Sequence, residues 1–169
     1  MKPPPFLPEE TLLRVLRIAR LDGMSVAFVA GLFALIAAVS GDWLGAVVGL
    51  LVAGAGAVEL HGATLLQHGE PRGTNWLVTS QLLMLGTMLG YCALQMIRAR
   101  IPEFPAELDA LLQQDADQIG VSKHDFLLFA FNRLLYGLLA VATVFYQGGM
   151  ALYYFRRRDP VARALLADV

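Results

Sequence analysis

Four long apolar segments constrain this chain more than any other feature. They cover residues 24–40, 44–65, 76–97 and most of 123–155, and the first of them contains no charged residue. The hydrocarbon core of a bilayer is about 30 Å thick, and about 20 helical residues cross it at a rise of about 1.5 Å per residue. Because unpaired backbone groups are costly in lipid, such segments must be helical. The sequence therefore predicts an all-α polytopic membrane protein, a four-transmembrane-helix bundle.

The composition also favours a membrane protein. Hydrophobic residues make up 57% of the 169 residues and charged residues only 16%, with a mean hydropathy of +0.58. Ordinary soluble domains carry roughly 25% charged residues. We therefore expect the lipid bilayer as the main partner and a location in the cytoplasmic (inner or plasma) membrane.

Charge and motif content disfavour several function classes. The net charge of -1 provides no overall basic field to hold nucleic acid. Cys92 is the only cysteine and the histidines are His61, His68 and His124, so no Cys/His zinc pattern can be written. Sequence motifs of serine hydrolases, zinc proteases and phosphate-binding loops are absent. We expect no enzyme activity, no nucleic-acid partner, no cofactor and no metal.

Two shorter helices are predicted outside the spans. Residues 9–21 place leucines on one face and arginines on the others, which is typical of an amphipathic helix on a membrane surface. The proline-rich residues 1–8 before it are expected to be extended. Residues 105–119 are acidic with one apolar face and precede a glycine, which predicts a short extracytoplasmic loop helix. Ser122 and Asp125 then form the pattern of a capping box at the start of the last helix.

The positions of the basic residues predict the topology. Lysines and arginines concentrate in the N-terminal segment, at Arg72 and in the C-terminal tail, whereas the other loops hold only Arg98, Arg100 and Lys123. Cytoplasmic loops of membrane proteins carry the excess of Lys and Arg. The sequence therefore predicts that the N-terminus and the C-terminus are both cytoplasmic.

The first two spans each carry a stripe of small residues. Small side chains every three or four positions let helix backbones approach closely, which is a main source of helix association in lipid. The stripes favour a tight hairpin within the chain over an interface between copies, because the connecting turn is short. Their members are Ala27, Gly31, Ala34 and Ala38 in the first span, and Gly45, Gly49, Ala53 and Ala57 in the second.

A polar lane is predicted between the third span and the last helix. Polar residues recur at helical spacing on both, and antiparallel packing places Tyr91 and Gln95 at the depth of Asn132 and Tyr136. The lane is either a set of interhelical hydrogen bonds, which is the favoured interpretation, or a hydrated path. Its members are Thr87, Tyr91, Gln95, Asn132, Tyr136 and Thr143.

Glu59 is the acidic residue that lies well inside a predicted span, and a carboxylate at that depth is a functional candidate. Counting along each helix places Ser80, Gln81 and Gln147 at the same depth, with His61 at the rim. The pattern predicts a polar layer in the inner leaflet, with Glu59 either protonated or paired with Arg17 or Arg20. If the second span instead ends near Val58, Glu59 and His61 lie in the aqueous interface.

Two function classes fit these features. The first is a non-enzymatic structural membrane protein or a subunit of a larger complex, which the sequence slightly favours. The alternative is a small ion or solute channel or transporter, assembled as a homo-oligomer because four helices leave little room for a pathway, with its polar site around Glu59.

Overall fold

The computed structural model describes residues 7–98 and 105–167, and all regular secondary structure in these residues is helical. Parts of the predicted N-terminal arm and of the loop around Arg100 lie outside them. The helices are α1 (Pro8–Val39), α2 (Trp43–Gln67), α3 (Gly73–Arg98), α4 (Ala106–Ile119), α5 (Lys123–Leu127) and α6 (Leu135–Ala167), with a π-helix at Leu128–Leu134 between the last two.

Four helical stretches in the described residues are long and apolar enough to cross a membrane. They are α1, α2, α3 and the run from Lys123 to Leu166. Large apolar side chains such as Phe28, Leu50 and Phe145 are exposed on their outer faces. A water-soluble protein rarely exposes so much contiguous apolar surface. The all-helical class and the four apolar helices predicted from the sequence are confirmed.

The N-terminal part of the chain differs from the prediction. The surface helix expected at residues 9–21 and the span expected at 24–40 are one continuous helix, α1. Val15 is fully buried and belongs to one core cluster with Val161 of α6, so this part of the helix packs against protein. Gly23 lies inside α1 and provides a close approach to α2, since a Cβ added there would lie 3.1 Å from the Gly56 carbonyl oxygen.

Helices α1 and α2 form a tight antiparallel hairpin. The turn uses Gly41 with φ +77°, and the side chain of Asp42 caps α2 by accepting a hydrogen bond from the Gly45 amide at 3.1 Å. A Cβ added to Gly49 would lie 2.9 Å from the Ala34 Cβ and 3.0 Å from the Ala34 backbone nitrogen. The absence of a side chain at this glycine therefore lets the two backbones meet.

Not every member of the predicted stripes lies in this contact. Ala57 is exposed, and a Cβ added to Gly31 would meet nothing within 4 Å. Gly56 takes part instead, since a Cβ there would lie 2.9 Å from the Ala27 amide nitrogen. The contact face therefore differs slightly from the predicted one.

The last helix is longer than predicted and less regular. It was expected to end near residue 155, but α6 continues to Ala167 and contains Pro160. Val161 and Ala164 are buried, so packing outweighs the hydrogen bond that a proline removes from a helix. The π-helix at Leu128–Leu134 was not predicted, since hydrophobic periodicity does not distinguish one wide turn.

The loop segment matches the sequence prediction in its local chemistry. Helix α4 ends at Gly120, which has φ +76° and forms the left-handed cap that glycine adopts without strain. Ser122 accepts a hydrogen bond from the Asp125 amide at 3.1 Å, as a capping residue does. The predicted cap at the start of the last helix is confirmed.

The chain divides into two units. Within the described residues, the first comprises 7–88 and 144–167 and contains α1, α2, most of α3 and most of α6. The second comprises 89–98 and 105–143 and contains the end of α3, the helices α4 and α5, the π-helix and the start of α6. The residues of the predicted polar layer around Glu59 all lie in the first unit.

Candidate functional site

Glu59 lies on α2 with no exposed surface, and both of its carboxylate oxygens accept hydrogen bonds from neighbouring helices. The hydroxyl of Tyr154 donates to Oε1 at 2.7 Å, and Nε2 of Gln81 donates to Oε2 at 3.0 Å. The partners expected from the sequence were Arg17 or Arg20. A phenol and an amide occupy these positions instead, because both arginines point to the surface.

Gln81 joins Glu59 to a second carboxylate. The same Nε2 donates to Oδ2 of Asp22 at 3.1 Å, and the hydroxyl of Tyr146 donates to Oδ1 of Asp22 at 2.9 Å. The residues Asp22, Glu59, Gln81, Tyr146 and Tyr154 thus form one hydrogen-bonded set, which we call the carboxylate network. It links α1, α2, α3 and α6.

The carboxylate network supplies as many donors as the two carboxylates have oxygens. Two phenol hydroxyls and the two hydrogens of one amide nitrogen serve four oxygens. All of these donors are neutral, so they satisfy the hydrogen bonds of the carboxylates without balancing their charge. Buried charges in proteins are usually paired or neutralised. The arrangement is therefore chemically suited to hold a proton or a small cation.

Gln81 carries a further feature of the network. Its Oε1 atom is buried and has no hydrogen-bond partner among the described residues. An amide oxygen is a good ligand for hard cations and a good acceptor for a protonated carboxyl group. Rotation of the Gln81 amide would place its oxygen, an acceptor, between Asp22 and Glu59 in place of its nitrogen, a donor. This side chain can therefore hydrogen-bond to the ionised carboxylates or to a protonated carboxyl group.

The hairpin register explains why Asp22 and Glu59 meet. Asp22 lies 17 residues before the end of α1 at Val39, and Glu59 lies 16 residues after the start of α2 at Trp43. At about 1.5 Å per residue, both carboxylates lie about 25 Å from the connecting turn. Asp22 was not predicted as a site residue, because it lies between the two separate helices predicted for this part of the chain. Its distance from the turn, which matches that of Glu59, is the feature of the sequence that indicates it.

The other residues of the predicted polar layer are buried but differ in their contacts. The hydroxyl of Ser80 donates to the Leu77 carbonyl of its own helix at 2.8 Å. Gln147 donates to the Met84 sulfur at 3.1 Å, and its Oε1 has no partner in the described part of the chain. His61 is exposed and its ring lies edge-on to Trp76, with centroids 5.5 Å apart. It therefore does not contribute to the carboxylate network.

The polar lane residues of the second unit form a separate cluster. Nδ2 of Asn132 donates to the Gln95 carbonyl at 2.8 Å, and Nε2 of Gln95 donates to the Tyr91 hydroxyl at 3.0 Å. The ring of Tyr136 lies edge-on to Tyr91 with centroids 5.9 Å apart. The hydroxyl of Thr143 instead donates to the carbonyl of Leu139 on its own helix at 2.7 Å.

Thr87 lies on α3 in the first unit and is half-buried. The contacts among the lane residues therefore join Tyr91 and Gln95 of α3 to Asn132 and Tyr136. The Asn132 hydrogen bond and the ring packing join two helices, whereas the Gln95–Tyr91 hydrogen bond lies within α3.

Replacing Tyr154 by phenylalanine is expected to destabilise the protein by about 1 to 3 kcal/mol, because Glu59 loses a donor and stays buried. Replacing Tyr146 by phenylalanine is a matched control, since that side chain is exposed and its partner Asp22 is only half-buried. Thermal unfolding of the purified variants in detergent measures the loss of stability in each. Equal effects of the two variants would contradict the burial of the Tyr154 contact.

Comparison with known proteins adds no further assignment. No protein-family model, curated protein or solved structure matches this chain.

Proposed function

We propose that this chain is an integral protein of the cytoplasmic membrane that binds a proton or alkali cation at the carboxylate network and acts as a small channel or transporter. One observation carries the proposal. The Gln81 amide donates to two carboxylates from different helices, and every donor to those carboxylates is neutral. Ionisable residues within apolar helices commonly mark ion or proton pathways.

The structural or complex-subunit function is the second candidate. Its support is that all four carboxylate oxygens have hydrogen-bond donors, which is sufficient for a purely architectural network. The small-residue contacts give it less support, because Gly49 and Gly56 meet α1 of the same chain. Those glycines are therefore used within the hairpin and are not free for a partner protein.

The proposed activity is non-enzymatic and uses a homo-oligomer. Four helices of one chain leave little space for a pathway, so several copies together would complete it. Size-exclusion chromatography with light scattering in detergent measures the number of copies. A strictly monomeric protein with full transport activity would contradict this part of the proposal.

The transport proposal is tested by flux into reconstituted vesicles. We expect the wild-type protein to dissipate an imposed proton or sodium gradient, and Asp22→Asn to reduce this flux while the protein still folds, since asparagine keeps the size of the side chain. Glu70→Gln is the matched control, because Glu70 is an exposed acid in the turn between α2 and α3. No flux above empty vesicles, or equal flux in Asp22→Asn and wild type, would favour the structural function.

The proposed topology predicts the labelling of two introduced cysteines. The cysteine of Glu70→Cys is expected to react with a membrane-impermeant maleimide only after cell lysis. The cysteine of Asp115→Cys is expected to react in intact cells, once the reagent has reached the outer surface of the cytoplasmic membrane. Both positions are exposed, whereas the native Cys92 is buried and should contribute little background. The reverse pattern would overturn the cytoplasmic placement of the N-terminus and the C-terminus.

A further inference from the structure

One face of α6 carries a cavity that the carboxylate network does not use. The cavity has a volume of about 390 Å³ and is lined by Gly149, Leu152, Tyr153, Arg156 and Arg157. Each of these residues lies three or four positions from another of them, so together they form a single stripe along the helix. The stripe is apolar at its Gly149 end and basic at its Arg157 end.

The basic end has charges without a counter-charge. In the described part of the chain, the carboxylate of Asp159 lies 3.9 Å from Arg158. That leaves Arg156 and Arg157 without an ion pair among the described residues, and the Arg157 guanidinium lies over the Tyr153 ring, 5.6 Å from its centroid. Guanidinium groups bind phosphate oxygens with two parallel hydrogen bonds.

A buried donor adjoins these arginines. The hydroxyl of Tyr153 is buried and has no hydrogen-bond partner among the described residues. Tyr153 is one of the residues that line the cavity, and buried polar atoms are normally satisfied, so its unpaired hydroxyl indicates a missing acceptor. A phosphate oxygen is such an acceptor.

The apolar end has room for a hydrocarbon chain. A Cβ added at Gly148 or at Gly149 would meet nothing within 4 Å, and Leu152 is exposed beside them. The absence of a side chain at Gly149 therefore leaves open space at the end of the cavity that lies farther along the helix from the arginines. The cavity therefore offers a polar site and an apolar groove in the order in which a phospholipid presents its headgroup and its acyl chains.

We propose that this face of α6 binds one anionic phospholipid, with its phosphate held by Arg156, Arg157 and the Tyr153 hydroxyl, and an acyl chain along Gly149 and Leu152. The inference rests on the proposed membrane insertion with a cytoplasmic C-terminus, which places the arginines at the inner headgroup layer. Basic pockets at the cytoplasmic side of membrane helices are suited to anionic headgroups.

The test uses the full chain in nanodiscs made of phosphatidylcholine alone or mixed with phosphatidylglycerol. Native mass spectrometry counts the phosphatidylglycerol that each protein retains, and thermal unfolding measures the stabilisation by the lipid. We expect the wild type to retain a phosphatidylglycerol molecule. The double variant R156Q/R157Q should weaken its retention more than about tenfold, since each arginine supplies charge-assisted hydrogen bonds.

Two further variants test the site without removing charge. Tyr153→Phe should weaken lipid retention about fivefold through the loss of one hydrogen bond. Gly149→Leu should also weaken it by filling the groove, and the open space at this glycine means that the fold survives. Arg163→Gln is the matched control, because Arg163 is exposed on the same helix outside the cavity.

Retention unchanged in R156Q/R157Q and in Gly149→Leu would overturn the site. An equal loss in Arg163→Gln would also overturn it, since general surface charge would then explain the binding. Competition by inorganic phosphate alone, with no effect of Gly149→Leu, would reject a lipid as the occupant. Extraction of the wild type from membranes by alkaline carbonate would overturn both this site and the proposed membrane insertion, whereas a failure of the flux assay would overturn the transport proposal alone.

Discussion

Replacing Glu59 by leucine is expected to destabilise the protein by about 3 to 5 kcal/mol and to abolish flux. Leucine has a similar volume but leaves the Tyr154 hydroxyl and one N–H of the Gln81 amide buried without an acceptor. Each unsatisfied buried donor costs about 1 to 3 kcal/mol. The midpoint temperature of thermal unfolding in detergent should fall by about 6 to 20 °C, since each kcal/mol corresponds to about 2 to 4 °C for a chain of this size.

Replacing Glu59 by glutamine separates charge from packing. Glutamine keeps an acceptor for Tyr154, and the unpartnered Oε1 of Gln81 can accept from the new amide after rotation. We therefore expect a stability loss of about 1 kcal/mol or less, together with a flux that no longer depends on pH. A normal flux with a large loss of stability would instead assign Glu59 a structural role. Unchanged flux and unchanged stability would contradict the burial of this carboxylate.

A double variant provides a control for the Glu59 result. Adding Tyr154→Phe to Glu59→Leu removes the unpaired hydroxyl together with its acceptor, and replacing both partners of a hydrogen bond costs less than replacing one. The double variant should therefore be more stable than Glu59→Leu alone, by about 1 kcal/mol or more. Additive losses would show that the two side chains are not coupled.

Replacing Gly49 by valine is the second change with a large expected effect. The added Cβ would lie 3.0 Å from the backbone of Ala34, which cannot move aside as a flexible side chain can. The hairpin of α1 and α2 must then separate. Overpacking of this kind typically costs about 1 to 3 kcal/mol, and the backbone contact places Gly49→Val at the upper end. The midpoint temperature of thermal unfolding should fall by about 6 to 12 °C.

Gly54→Ala is the matched control for that variant. Gly54 lies on the same helix, but a Cβ there would meet nothing within 4 Å. Alanine is favoured over glycine in a helix by about 1 kcal/mol, so this variant should be as stable as the wild type or more stable. If Gly49→Val and Gly54→Ala behave alike, the close contact between α1 and α2 is contradicted.

Helical rise and hydropathy were sufficient to predict part of the site. Counting along the apolar segments groups Glu59 with Gln81, and their side chains form a hydrogen bond of 3.0 Å. The same counting grouped Gln95 with Asn132, which also meet. Depth along a helix is a simple function of residue number, so residues at the same depth can be recognised from sequence.

The rotation of each helix about its axis could not be predicted in this way. Tyr154 donates to Glu59 from 95 residues away, and His61, two residues from Glu59, faces outward. Residues two apart on a helix differ by about 200° in direction, so the rotation of the helix decides which of them faces the interior. Which polar residue is a partner and which is exposed therefore depends on packing.

The sequence by itself determined the all-helical class, the four long apolar helices and the depth of the polar residues along them. Each of these follows from local composition and a regular helical rise. Only the tertiary structure decided that α1 is continuous past Gly23, that Asp22 joins the carboxylate network, and that neutral donors take the place expected for an arginine. The reason is physical: these features depend on contacts between helices far apart in sequence, where the shape of one surface selects the partner on another.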